Sequence, residues 1–231
     1  MRLVDPKTVA VVVPNLNEAP RIAPLLASLN SEDFQERIVV DGGSKDATRE
    51  IAECVPGVVA IASARGRGAQ LNAGAERATS GILLFLHADT QLPEKASAMI
   101  RSALDDLSVV GGCFRLSFDE PHPLLSVYAW ATRFETGFTT FGDQAFFVRA
   151  TAFRRCGGFP NWPFLEDVEL RHRLKKLGRF VKLNAAVTTS ARRFVAEGLV
   201  KRQALNAAIL ALHGAGVSAS TLARWYQPSK H

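Results

Sequence analysis

Cysteine is scarce in this chain. Cys54, Cys113 and Cys156 are the only three in 231 residues, and no two form a CxxC pair. An odd, scattered set argues against a disulfide framework and against a cysteine-built zinc site. It fits a reducing compartment, so a cytoplasmic protein is the expectation. No apolar run approaches the ~18 residues that a membrane-spanning helix needs. The opening MRLVDPKTVAVVVP has a short apolar core interrupted by Asp5, Pro6 and Lys7, which is not the layout of a signal peptide. No GxGxxG follows the first apolar run, and GxxxxGK(S/T) occurs nowhere. Those absences speak against a dehydrogenase and against a P-loop NTPase. Repeats and low-complexity segments are missing as well.

Charge of one sign is not missing. The net formal charge is +6, from 28 Lys and Arg against 22 Asp and Glu. A basic chain favours anionic partners: nucleotides, phosphosugars, nucleic acid or an acidic membrane face. The basic residues are dispersed and form no stripe interleaved with aromatics, so nucleic acid is not an expected partner. Apolar residues make up 47% of the chain, enough for a sizeable core. One domain with a C-terminal extension is the simplest organisation.

Apolar runs at residues 8–13, 37–40, 58–63 and 81–86 read as strands buried on both faces. Between them, 20–30, 46–55 and 69–78 carry helical spacing, and 94–107 follows as a further helix. Strand and helix in strict alternation predict a parallel α/β sheet with right-handed crossovers. Beyond Asp105 the pattern changes. Strands are predicted at 109–118, 144–149, 180–183 and 187–190, and helices at 124–136, 150–156, 166–177 and 195–212, with a last short helix within 218–226.

Four loops follow the first four strands, and all should open on the same sheet edge. They contain Pro14, Asn15, Asn17 and Glu18; Asp41, Gly43 and their neighbours Ser44 and Asp46; Arg67, Gly68 and Asn72; and His87, Ala88, Asp89 and Thr90. Gly42 and Gly43 let backbone come close to a ligand. Asp41 and Glu18 suit ribose hydroxyls or a base edge. Arg67 suits a phosphate or a stacked base. Together the loops describe a nucleotide cleft with a cation site at Asp89. Simpler readings stand beside these: Asp89 as the cap of the next helix, Asp46 or Ser44 as the cap of an earlier one, and Arg67 as a solvated loop charge.

The motifs PNLNE, DGGSKDAT, GRGAQLNAG, HADT and LEDVEL, in that order, resemble the family 2 glycosyltransferases, which have the GT-A fold. The resemblance covers roughly residues 9–183. HADT, GDQ and SARRF point further to the small stand-alone bacterial members of selenodomain-associated or arsenosugar-biosynthesis type. The resemblance implies an inverting transferase with a nucleotide-sugar donor, a UDP- or GDP-sugar, and a divalent cation, Mn²⁺ or Mg²⁺. It divides the chain into a nucleotide-sugar-binding half at 8–107, an acceptor and catalytic half at 108–190 and a helical extension at 191–231.

Residue by residue, it implies that Asn15, Asn17 and Glu18 line the nucleoside, that Asp41 meets the base, and that Arg67 lies near base or ribose. Asp89 matches the last carboxylate of the DxD metal motif. His87 stands where the first Asp is usual, as a second ligand or a ribose or phosphate contact. Asp167 matches the general base, with Glu166 its competitor. Gly142, Asp143 and Gln144 match a loop on the acceptor side, and Arg192 and Arg193 could reach the diphosphate. The QxxRW of processive synthases is absent, which favours transfer of one sugar to a small or lipid-linked hydroxyl acceptor. The apolar segment 194–226 suits packing on the domain or on a second copy, or a peripheral contact at the inner membrane face. Two rival functions remain at this level. A sugar nucleotidyltransferase would need glycine in PNLNEAPR, which has none. A nucleotide-sugar-binding protein without catalysis would be excluded by turnover.

Overall fold

The structure, a computed structural model, describes residues 5–192 and 198–224. Its first half alternates strictly: β1 (Val9–Asn15), α1 (Ala19–Leu29), β2 (Glu36–Asp41), α2 (Thr48–Glu53), β3 (Val58–Ala62), α3 (Arg67–Arg77) and β4 (Ile82–Phe85). The continuous apolar runs have a direct cause. Val9, Val11 and Val13 pack with Ile22, Leu25 and Leu26 of α1, whereas Ala10 and Val12 pack on the opposite face with Leu71 and Ala75 of α3. A strand covered on both sides has no polar face to show. β1 pairs in parallel with β2 and with β4, and β2 with β3. The four strands therefore deliver their following loops to one edge.

The second half adds β5 (Thr90–Gln91), α4 (Ala96–Ala103), β6 (Val109–Phe118), α5 (Pro123–Ala131), β7 (Phe146–Arg149), α6 (Ala150–Arg155), α7 (Glu166–Lys175), β8 (Arg179–Thr189), α8 (Leu199–Gly214) and α9 (Ala219–Leu222). All eight strands join one sheet, in the order β3-β2-β1-β4-β7-β6-β8-β5. β7 runs antiparallel to both β4 and β6, and β5 runs antiparallel to β8. This is the mostly parallel, helix-flanked α/β arrangement expected of a GT-A fold. Among the described residues, no helix is long and apolar enough to cross a membrane.

Three local expectations are corrected. The two short strands at 180–183 and 187–190 are one strand, β8. Its register against β6 jumps between Cys113↔Lys182 and Arg115↔Ala186, so a bulge absorbs the polar break that suggested two strands. Asp89 does not cap a helix: Thr90 and Gln91 form β5, and α4 starts only at Ala96, with Lys95 at its N-cap. Gln144 does not open β7; it lies in a single 3₁₀ turn, Gly142–Gln144, just before that strand.

Candidate active site

Most polar residues of the first three loops are engaged with other protein groups, within a loop or across to a neighbouring segment. Asp41 is 5% exposed. Its Oδ2 accepts the backbone N–H of Gly43 at 3.0 Å and of Ser44 at 3.1 Å, and the Ser44 hydroxyl also donates to the carboxylate. Gly42 is required by close approach, since a Cβ there would lie 2.9 Å from the Gln70 side chain. Gln70 itself donates to the carbonyls of Asn15 at 2.7 Å and Val40 at 2.9 Å, tying the ends of β1 and β2 together. Asn17, at φ 54°, accepts from Lys45 N at 2.8 Å and donates its own N–H to Ser44 Oγ at 2.9 Å. Glu18 accepts from Arg21 and Arg192, each at 2.9 Å. Asp46, not Ser44, bonds the start of α2, accepting Thr48 N at 3.1 Å.

Asn72 is placed differently from its expected donor contact. Its amide donates to Phe159 O at 2.9 Å and accepts from Phe159 N at 3.0 Å, clamping α3 to the chain that leads into α7. Gly68 lies below the same segment, where a Cβ would come 3.0 Å from Pro160 O. Pro14 sits within β1 opposite Val40, Gly43 forms the Asp41 turn at φ 91°, and Ala88 is buried. Asn15 is 2% exposed, with Nδ2 on Val13 O at 3.1 Å and no hydrogen bond at Oδ1. Arg193 lies outside the described residues.

Five of the expected site residues come together. Arg67, His87, Asp89, Asp143 and Asp167 line one cavity of about 200 Å³, joined by Tyr128, Phe141, Phe164, Leu165, Thr189, Ser190, Asn206, Ile209 and Leu210. Asp167 is the second residue of α7, after Glu166. Its Oδ2 accepts Gly142 N at 2.6 Å and its Oδ1 accepts Val168 N at 2.9 Å. A Cβ on Gly142 would meet Asp167 Oδ2 at 3.1 Å, a tight contact. Glu166 is 1% exposed and pairs with Arg67 Nε, so its carboxylate is spent on that contact and does not line the cavity. Arg192 joins two loops, bonding Glu18 and lying 3.5 Å from Asp89 Oδ2.

Two non-glycine residues flanking the carboxylates adopt left-handed backbone: Leu165 at φ 62°, before Glu166, and Ala145 at φ 51°, after the 3₁₀ turn. Such conformations cost roughly 1–3 kcal/mol each and cluster at functional sites. They aim Asp167 and Asp143 from separate segments. Three carboxylates in one cavity repel. Asp143 shows it most: burial, then the negative charge of Asp167, push its carboxyl up to about 7, with Asp89 adding to the rise and Arg67 and Lys182 opposing it. Burial likewise raises the Tyr128 hydroxyl, with Asp143 and Asp167 adding to it.

No three His, Cys, Asp or Glu side chains converge as a metal cage among the described residues. A hard cation of the Mg²⁺ type is commonly held by one or two carboxylates plus substrate phosphates, without such a cage. The crowded carboxylates around Asp89 fit that mode: a cation arriving with a diphosphate would relieve their repulsion.

Sequence reasoning missed Gln70, although it lies within a quoted motif, because a glutamine inside a helix carries no local sign of buried use. It also missed the cavity residues Tyr128, Phe141, Phe164, Ile209 and Leu210. Apolar residues of that kind serve a core equally well.

Residues 10–159 match the model of glycosyl transferase family 2. The chain belongs to that family. The match ends before Glu166 and Asp167, so the second carboxylate segment rests on geometry. The glycosyltransferase AglJ of Haloferax volcanii is 40% identical over 63 residues, which are 27% of this chain and 21% of that protein. Among solved structures, S. aureus TarS 1–349 in complex with UDP matches with a TM-score of 0.66 at 18% identity, covering 79% of this chain and 60% of that one. The mannosyltransferase PcManGT of Pyrobaculum calidifontis, in complex with GDP-Man and Mn²⁺, matches with a TM-score of 0.63 at 23% identity, covering 80% and 58%. The chain thus spans about 60% or less of each of these relatives. At such identities the two structures share its fold, which is that of GT-A enzymes.

Proposed function

We propose that this protein transfers a sugar from a nucleoside-diphosphate donor to a hydroxyl acceptor, with inversion at the anomeric carbon and Asp167 as the general base. One observation carries this: Asp167 is fixed by two backbone N–H groups at the start of α7 and faces the cavity that Arg67, His87 and Asp89 line. A base must lie within hydrogen-bond reach of the proton it takes, and geometry comes first. The acceptor oxygen forms the new bond to the anomeric carbon while its proton passes to Asp167. The bond from that carbon to the diphosphate breaks, and the electron pair leaves with the nucleoside diphosphate. Glu166 is held by Arg67 and does not line the cavity, so it is not placed to take that proton.

Asp89 is the residue that would hold a divalent cation, Mn²⁺ or Mg²⁺, with His87 beside it; the cation supplies charge neutralisation for the departing diphosphate. Arg67 contributes a further positive group on the same side. UDP- and GDP-linked sugars are the donors to test first, since the structural neighbours are described with UDP, UDP-GlcNAc and GDP-Man. The motifs HADT, GDQ and SARRF support a place among the small bacterial transferases of selenodomain-associated or arsenosugar type.

The test is a thermal-shift panel of nucleotide sugars with and without Mn²⁺, followed by nucleotide release from the best binder. A ligand that binds only the folded state raises its stability by mass action. One donor class should raise the midpoint, more so with Mn²⁺, and should be turned over. No shift with any nucleotide sugar would overturn the reading, and binding without turnover would favour a sensor.

A further inference from the structure

Asp143 is a carboxyl that the mechanism above does not use. Its Oδ1 is buried and accepts no hydrogen bond, although it belongs to a residue lining the reaction cavity. A buried polar atom without a partner costs free energy, and native structures keep few of them. The segment around it cannot swing away to find a partner. On one side Gly142 N is bonded to Asp167 at 2.6 Å. On the other, Gln144 donates to Thr139 O at 2.7 Å and accepts from Lys182 Nζ at 2.8 Å. Lys182 also donates to Thr139 O at 3.0 Å, so the strand β8 pins the turn from below. Asp143 is therefore held beside the base with an unpartnered oxygen.

The partner that suits this oxygen is narrowed by its surroundings. An anionic group is disfavoured by Asp89 and Asp167 in the same cavity. A hydrogen-bond donor fits, and the attacking group of the acceptor is itself a hydroxyl. We propose that Asp143 is a specificity-determining residue that binds a second acceptor hydroxyl, adjacent to the one deprotonated by Asp167, so that the acceptor is a vicinal diol. Phe141, Phe164, Ile209 and Leu210 of the same cavity are apolar and take the carbon body of that acceptor. This inference rests on the transferase reading.

The experiment uses two probes that share an apolar body and differ in one hydroxyl, 1,2-butanediol and 1-butanol. Each is supplied at a concentration series with the donor selected by thermal shift and Mn²⁺. Alkyl glycoside is measured by mass spectrometry and nucleotide release in parallel. Wild type should favour the diol by about tenfold or more in kcat/KM, because a site built to bond a hydroxyl rejects the analogue that lacks it. Asp143→Ala should bring the ratio to within about twofold. Asp143→Asn, which keeps an accepting oxygen, should recover part of the preference. Each ratio is internal to one variant, so partial loss of folded protein does not alter it. No preference in wild type, a preserved ratio in Asp143→Ala, or a raised donor KM with the ratio intact would overturn the inference. Nucleotide release into water with no glycoside from either probe would also overturn it and leave the transferase reading standing. No nucleotide release from any donor by wild type would remove the transferase reading itself.

Discussion

Asp41 and Asp89 occupy the same kind of place, a carboxylate at the end of a buried parallel strand, yet they are put to different uses. Asp41 accepts the N–H groups of Gly43 and Ser44, which fold back onto it, so the carboxylate shapes its own loop. Asp89 is followed by Thr90 and Gln91, which are drawn into pairing with β8, so its side chain is left facing the cavity. The contrast extends to the two halves of the molecule. The loops after β1, β2 and β3 are largely bonded to themselves and to neighbouring segments, with Arg67 their contribution to the cavity. The chain from Asp143 to Asp167 holds one carboxyl oxygen without a partner, that of Asp143, and it is there that burial and like charge raise Asp143. Polar residues at a sheet edge are thus of two kinds, those that hold the edge in shape and those the shape presents.

Substitutions should separate the two kinds. The largest effect expected is that of Asp89→Ala on the presenting side. Transfer in saturating Mn²⁺ should fall by about 100-fold, since charge neutralisation at a leaving phosphoryl oxygen is worth several kcal/mol. Its thermal midpoint should change little. A loss of stability with normal transfer would move Asp89 into the shaping class. Next is Asn72→Ala on the shaping side, which removes both contacts to Phe159 and should cost roughly 1–3 kcal/mol in denaturant unfolding. Donor binding should persist in the folded fraction. Lost donor affinity at unchanged stability would restore the donor contact first expected of Asn72.

The last effect is a slope. Asp143 has a native carboxyl pushed up to about 7 against an ordinary value of 3.8. Between those values the native state binds more protons than the unfolded state, so this group's contribution to stability falls as pH rises from about 4 to 7 and levels off above. Asp143→Asn has no such proton. The difference in thermal midpoint, variant minus wild type, should therefore grow from pH 4 to 7 and then flatten. A difference independent of pH would show that Asp143 titrates normally and that its neighbours do not crowd it.

The first half of the fold was legible because each strand is a run of apolar residues punctuated by glycine and polar loops. β8 was less so: Asn184 and the two alanines after it imitate a break, and only the bulge against β6 keeps the strand continuous. β5 is two residues long and exists because β8 offers an edge, which no local pattern reports. In the site, residue types and order pointed to Arg67, His87, Asp89, Asp143 and Asp167, and the structure brings all five to one cavity. The direction in which a carboxylate turns was not legible, as Asp41 shows. Nor was it legible which side chain of the adjacent acids Glu166 and Asp167 lines the cavity: Arg67, reaching across from α3, pairs with Glu166.

The central claim is that Asp167 takes the acceptor proton while the rest of the cavity binds the donor. Asp167→Asn tests it most directly, with donor affinity and transfer rate measured on the same preparation. Donor affinity should be retained, and transfer should fall by about 10²–10⁴-fold, the range typical for loss of a positioned general base. Transfer at the wild-type rate in that variant would contradict the account.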